Sequence, residues 1–368
     1  MNIFNCCEKE LQLQSCKINE TTFYYTMDTS DEITIKSYNK NYNVIYKNDI
    51  DQIMNIYNAN DFIIIDKNVF ELYKNILSKI DQKYYYIFNA IEDNKNIHSI
   101  LSIIDLLYEL KMTKKNKLIV IGGGITQDIC GFLSAIYKRG LSWVYIPTTL
   151  LSMTDSCIGS KVNINYNTKN LLGLFYAPDQ IIIYEQFLST LHHDDIISGL
   201  SEALKISLIG GYKTYNYFIE NMNSGLFLNI IKMASVIKKM IIEKDELEKN
   251  ERKVLNYGHT FGHALEIVSK YDIPHGIAVL FGMIMINKLF YHDKYDDINK
   301  YMFDMIPQKF TQLNLSYDTF IDCILNDKKN DGDNICFIIL ENIGETRIIY
   351  KKLGEINDKL QNIFHTFF

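Results

Sequence analysis

The stretch Lys117-Leu-Ile-Val-Ile-Gly122-Gly-Gly124-Ile-Thr-Gln-Asp128 decides the fold. Lys117–Gly122 is a short β-branched apolar run, as expected of a buried strand. Three consecutive glycines end it, and Asp128–Lys138 beyond them has helical spacing. A strand that passes through glycines into a helix lets the backbone approach a phosphate, with N–H donors and the positive end of the helix dipole facing the anion. The plainer reading of the same residues is a tight strand-to-helix turn. The run is not G-x-G-x-x-G, so an orthodox dinucleotide fingerprint is not implied.

The same alternation extends to either side. Asp61–Asp66, Tyr84–Phe88, Leu141–Ile146 (stopped by Pro147) and Ile181–Tyr184 read as strands, and Val69–Ile80 and Ile97–Leu110 as helices. Strands alternating with helices imply a mostly parallel sheet covered by helices. After residue 188 the periodicity changes to long helical patterns at Ile196–Ile209, Leu228–Lys249, Tyr257–Lys270 and Ile277–Tyr291, with a hairpin at Ile335–Leu340 and Thr346–Tyr350. The expected architecture is therefore an α/β, Rossmann-like N-terminal domain over residues 1–188 and a mainly α-helical domain over residues 189–368, with a ligand in the cleft between them.

Composition narrows the class. With 47% hydrophobic and 22% charged residues the chain is ordinary for a soluble globular protein. Its net charge of −6 argues against a nucleic-acid partner. Seven cysteines, an odd number without a C-x-x-C pair, point to a reducing cytosol rather than a disulfide framework. Cys6-Cys7 reads as ordinary surface thiols rather than a lipidation site. The first residues lack the basic and apolar regions of a secretory signal, and no run has the length of a membrane span, so a cytoplasmic location is expected. Asn, Ile, Lys and Tyr are abundant along the whole length and respect no motif boundary.

Chemistry-bearing residues cluster in two places. The run Asn256-Tyr-Gly-His259-Thr-Phe-Gly-His263 is followed by His275, and these three are drawn from only eight histidines in the chain. Imidazoles at i and i+4 share a helix face, and with a third group they can grip a divalent metal. Taken singly, each would more often be a hydrogen-bonded core histidine. Arg252 and Asn256 lead into this run, preceded by Lys238 and Glu248. Glu202-Ala-Leu-Lys205 places a carboxylate and a lysine at i, i+3, which by itself reads as a surface ion pair. Earlier, Arg139-Gly, Pro147-Thr148-Thr149, Asp155-Ser-Cys-Ile-Gly-Ser-Lys161 and Lys169-Asn170 gather hydroxyl, amide and cationic groups after two strand ends. Together they suggest an anion cradle.

These motifs, in this order and spacing over roughly residues 60 to 345, resemble the 3-dehydroquinate synthases of the sugar-phosphate cyclase superfamily. The resemblance implies NAD and one divalent metal, zinc or cobalt, as cofactors. It implies metal ligation by Glu202, His259 and His275. It implies NAD contacts from Asp66, Asn68, Glu92, Lys95, Gly124, Ile125, Thr126, Gln127, Asp128, Thr148, Thr149, Lys161, Lys169, Phe187 and Thr190. Lys161, Lys205, Lys238, Arg252, Asn256 and His263 take catalytic positions. Arg139, Asp155, Asn170, Glu248, Lys328 and Lys329 take substrate-binding ones, Arg139 by reaching into the neighbouring subunit of a homodimer. The activity it implies is that of a phosphorus–oxygen lyase of the shikimate pathway. A heptulosonate 7-phosphate is transiently oxidised, loses phosphate by β-elimination, is reduced again and closes by an intramolecular aldol step.

Three residues depart from the family pattern: Gln127 and Ser160 stand where small residues or glycine are usual, and Ile277 replaces a common glutamate. The nearest alternatives are sister cyclases acting on another sugar phosphate, of the aminodehydroquinate or 2-deoxy-scyllo-inosose type. A metal-dependent polyol dehydrogenase or a decayed scaffold are the others. Arg252, Asn256 and His263, all present, favour a substrate that carries a carboxylate. The set Lys161, Lys238 and Arg252 favours one that carries phosphate.

Overall fold

Lys117–Gly122 forms an inner strand of a seven-stranded sheet in the computed structural model, which describes residues 13–27, 30–58, 61–327 and 330–368. In chain order the strands are β1 (Gln14–Ile18), β2 (Thr21–Tyr25), β3 (Glu32–Ile35), β4 (Tyr42–Lys47), β5 (Phe62–Asp66), β6 (Tyr85–Phe88) and β7 (Lys117–Gly122). Then follow β8 (Ser142–Pro147), β9 (Lys161–Tyr166), β10 (Thr168–Phe175), β11 (Gln180–Tyr184), β12 (Asn334–Asn342) and β13 (Glu345–Lys352). The large sheet runs β3-β4-β11-β8-β7-β5-β6, and every pairing in it is parallel except β3 with β4. Its inner strands are apolar on both faces because helices cover both sides, so β5 and Leu118–Gly122 of β7 are buried without alternation.

The three largest differences from the sequence expectation each have a local reason. The helix after the glycines begins at Gly124 rather than Asp128, with Gly123 extended at its N-cap, so Ile125, Thr126 and Gln127 lie in its first turn. The expected helix Val69–Ile80 is two short helices, Lys67–Leu72 and Lys74–Leu77, broken where Tyr73 leaves helical backbone. The helix expected over Leu228–Lys249 spans Phe227–Lys244. Asp245 ends it by accepting the backbone N–H groups of Lys249, Asn250 and Arg252 at 3.0, 2.7 and 3.1 Å. The chain beyond is thereby folded into a loop and the 3-10 turn Glu251–Asn256.

The second half is helical as expected, with His193–Gly210, His259–Val268 and His275–Tyr291 at its centre. His275–Tyr291 is buried nearly all round, which is why its residues are apolar on every face. β1 and β2 join this half. β1 pairs parallel with β13, giving a second sheet in the order β12-β13-β1-β2. β9 and β10 form an antiparallel hairpin whose register shifts between Thr168 and Leu172, and β10 is mostly exposed, without an apolar alternation that would mark it as a strand.

Candidate active site

Close backbone packing draws the histidines together. Gly258 has φ +83°, and a Cβ there would lie 2.7 Å from Met283 Cγ and from the Val279 carbonyl. Gly276 sits so near the helix His193–Gly210 that a Cβ would lie 2.0 Å from the Ser198 carbonyl. These contacts set the start of His259–Val268 against His275–Tyr291, and the start of His275–Tyr291 against the helix that carries Glu202. The ring centroids of His259 and His275 are 5.2 Å apart, and the candidate ligand atoms of His259, His263 and His275 all lie within 4.8 Å of one another.

Glu202 completes the cluster. Its side chain is fully buried, and its Oε1 has no hydrogen-bond partner among the described residues. That oxygen lies 3.8 Å from His259 Nε2 and 3.6 Å from His275 Nε2. Two ligands of a tetrahedral ion bound at about 2.1 Å lie about 3.4 Å apart, so these three atoms fit a divalent metal between them. Burial holds the His259 imidazole well below its ordinary pKa, helped by the Lys205 charge, which keeps it neutral and able to coordinate. Burial also acts to lower His275, but the neighbouring Glu266 carboxylate overrides it and raises the pKa.

A chain of alternating charges surrounds the cluster. Lys205, fully buried, donates to Glu202 Oε2 and pairs with Asp155 Oδ2 at 3.7 Å. Lys238 pairs with Asp155 Oδ1 at 2.6 Å. Asp155 lies in a single π-helical turn, Ser152–Ser156. Burial would raise its pKa, but Lys205 and Lys238 hold it well below the carboxylate range. Lys161 pairs with Glu248, which also accepts from Asn256 Nδ2 at 2.8 Å. Burial and the Arg252 charge lower the Lys161 ammonium. Arg252 donates to the Glu246 backbone carbonyl and is buried against Gly159.

On the sheet side, Gly124 leaves space at its Cα, with only Ser156 Oγ, 3.8 Å away, in reach of an added Cβ. Thr126 Oγ1 is buried there without a partner among the described residues. Thr149 packs over Gly123, and Thr148 donates its backbone N–H to the Gly122 carbonyl at 3.1 Å. Open backbone at a helix start fits the phosphates of a dinucleotide. Lys95 bridges Asp128 Oδ2 at 2.5 Å and Asn170 Oδ1 at 2.7 Å, and Glu92 accepts from Asn165 Nδ2 at 2.8 Å. This ties the loop after β6 to the β9–β10 hairpin.

Several residues singled out from sequence have local partners that explain them. Asp66 caps the helix Lys67–Leu72, accepting from Asn68 and Val69 N–H at 2.7 and 3.2 Å. Gln127 and Ser156 exchange hydrogen bonds at 2.8 and 2.7 Å, which fastens the glycine turn to the turn carrying Asp155. Phe187 packs edge-on against Tyr73 at 4.9 Å, and Thr190 Oγ1 lies 3.1 Å from the Tyr73 hydroxyl. Ser160 has φ +61°, the left-handed conformation that explains why glycine is usual there. Ile277 is fully buried. Arg139 is exposed, also at positive φ. Lys328 and Lys329 lie outside the described residues.

One site residue was missed by the sequence reading. Glu266, seven positions after His259 on the same helix, accepts from His275 Nδ1 at 3.1 Å through Oε2 and pairs with Lys169 through Oε1, also at 3.1 Å. Its signal was its place on the face of His259 and His263, two helical turns on.

The fold and this convergence of a glycine turn, a buried carboxylate and three histidines define a class, the two-part cyclases of sugar phosphates. The structure of 2-epi-5-epi-valiolone synthase from Streptomyces hygroscopicus subsp. jinggangensis 5008, with NAD+ and Zn2+ bound, matches with a TM-score of 0.77 at 22% identity, over 88% of this chain and 97% of that one. A 2-deoxy-scyllo-inosose synthase complexed with carbaglucose-6-phosphate, NAD+ and Co2+ matches at 0.75 and 20% identity, over 90% of this chain and 99% of that one. Family profiles described as 3-dehydroquinate synthase N-terminal and C-terminal match residues 85–198 and 199–330. The 3-dehydroquinate synthase of Pelagibacter ubique (strain HTCC1062) is 35% identical over 90% of this chain and 97% of its own length. The chain belongs to the 3-dehydroquinate synthase family.

Proposed function

We propose that this protein converts 3-deoxy-D-arabino-heptulosonate 7-phosphate to 3-dehydroquinate and phosphate, with NAD and one divalent metal as cofactors. The observation that carries the reading is the unpartnered, fully buried Glu202 Oε1 facing the Nε2 atoms of His259 and His275. Those three residues would hold the metal, and the open backbone of Gly124–Asp128 would hold the dinucleotide, with Lys95, Thr148, Thr149 and Lys169 around it. When bound, the metal would polarise a ring alcohol, and NAD+ would take up a hydride from the substrate and later return it.

The chain's own residues then bind, orient and handle protons. Asp155 and Glu202 balance the charges of Lys205 and Lys238, so these two ammoniums are held in place before substrate arrives. Lys161, Arg252 and Asn256 meet the substrate's anionic groups, with Lys205 and Lys238 on the metal side. Asn170, held by Lys95, and Glu248, held by Lys161 and Asn256, position that set. His263, in the same cluster, takes the role of proton carrier.

The halves divide the work: the large sheet carries the cofactor, the helices after residue 188 carry the metal, and substrate meets residues of both, with Lys161 and Asn170 coming from the β9–β10 hairpin. The protein acts in the cytoplasm as a homodimer, with Arg139 serving the partner's site, and without nucleic acid or membrane partners. No helix of the described residues is long and apolar enough to cross a membrane. The test mixes protein, NAD, zinc and the heptulosonate phosphate and measures phosphate and dehydroquinate. Both form without net NADH if the reading holds. Folded, metal-loaded protein that yields neither refutes it, and accumulation of NADH assigns a dehydrogenase instead.

A further inference from the structure

Beside the ion-pair network a cavity of about 300 Å³ opens, lined among others by Lys161, Glu248, Lys253, Asn256, Cys336 and Tyr350. Lys253 and Asn256 belong to one 3-10 turn, Glu251–Asn256. With three residues per turn, side chains three apart lie one above the other. The half-buried Lys253 is therefore on the cavity side with Asn256, while the intervening face turns Arg252 inward to the Glu246 carbonyl. β12 and β13 supply the opposite wall through Cys336 and Tyr350.

The charges of this cavity do not cancel. Lys161 is matched by Glu248, which Asn256 also engages. Lys253 has no ion pair or side-chain hydrogen bond with any described residue. The cavity thus holds two ammoniums against one carboxylate, together with an amide donor. An anion entering it meets one uncompensated positive charge, and a phosphate dianion gains more from that charge than a carboxylate does.

We infer that Lys253 is a further phosphate-binding residue of this enzyme, holding the substrate's phosphate from the outer side of the pocket whose inner side is Lys161 and Asn256. The inference rests on the sugar-phosphate reading for the identity of the ligand, but not for the existence of the anion site. Lys253 contributes to affinity and not to bond breaking.

The test compares wild type, Lys253→Met and Lys253→Arg, each loaded with NAD and zinc. It measures steady-state kinetics on the heptulosonate phosphate and calorimetric binding of inorganic phosphate. Lys253→Met is expected to raise KM and weaken phosphate binding by about tenfold, with a smaller change in kcat, and Lys253→Arg to restore both. If Lys253→Met does not fold, Lys253→Gln replaces it. Unchanged phosphate affinity in the neutral variant overturns the inference, as does equal loss in the arginine variant. If wild type turns over no substrate yet binds phosphate in a Lys253-dependent way, the activity assignment fails while the anion site stands.

Discussion

Replacing Glu266 with alanine probes the metal site through a residue that is not itself a ligand. Glu266 is 5% exposed and holds His275 Nδ1 at 3.1 Å. An ionised carboxylate only accepts, so it fixes the proton on Nδ1 and leaves the Nε2 lone pair directed at Glu202 Oε1, 3.6 Å away. Loss of such an outer partner lowers metal affinity by about 10- to 100-fold, or about 1.4–2.7 kcal/mol. The pH dependence has a definite sign. Burial lowers the His275 pKa and the Glu266 charge more than reverses that, so removing Glu266 lets the pKa fall. Protons then compete less for Nε2, which offsets part of the loss in acid. The deficit is therefore largest above the raised His275 pKa and narrows as pH falls through it. The assay is zinc competition against a chromophoric chelator across that range, with circular dichroism to confirm folding. Folded Glu266→Ala protein with wild-type zinc affinity in mildly alkaline buffer refutes the argument. Glu202→Gln, which removes a proposed ligand, should bind zinc more weakly still.

Two further outcomes follow from the backbone that presents the site. Gly258→Ala forces a Cβ into the space at 2.7 Å from Met283 Cγ and Val279 O, at φ +83°. Left-handed strain and overpacking together should cost about 2–4 kcal/mol in urea denaturation, with zinc affinity falling as His259 shifts. Asp245→Asn weakens the three N–H contacts that fold the loop carrying Glu248 and Arg252. Burial would raise the Asp245 pKa, but those contacts, with Arg252, leave it depressed. Its contribution, about 1.5–3 kcal/mol, is therefore present above the unfolded carboxylate pKa of about 3.9 and lost as pH falls through the lower folded value. Urea midpoints of the two proteins should differ at neutral pH and converge in acid; a constant difference would rule out the charge as the cause.

Much of this was legible in the chain. The run through Gly122-Gly-Gly124, the apolar strands beside it and the switch to helical spacing after residue 188 specified a parallel α/β half and a helical half, because these periodicities reflect which faces are buried. Local partners were harder to read. The helix begins at Gly124 and not at Asp128, since a glycine at the first turn meets little of the propensity penalty it has in a helix interior. The helix through Lys238 stops at Lys244 because Asp245 captures three N–H groups, a choice that no spacing of apolar residues reveals.

The histidines mark the division most clearly. The sequence determined that His259 and His263 share a helix face, because that follows from 3.6 residues per turn alone. It placed Glu202 and Lys205 one turn apart on another helix, where they resembled an ordinary surface pair. Only the tertiary structure decided that this pair is fully buried, that Glu202 Oε1 faces His259 and His275, and that Glu266 sets the tautomer of His275. Those facts depend on glycines at 258 and 276 letting backbones from distant parts of the chain approach, and closeness between separate helices is a property of packing, not of sequence spacing.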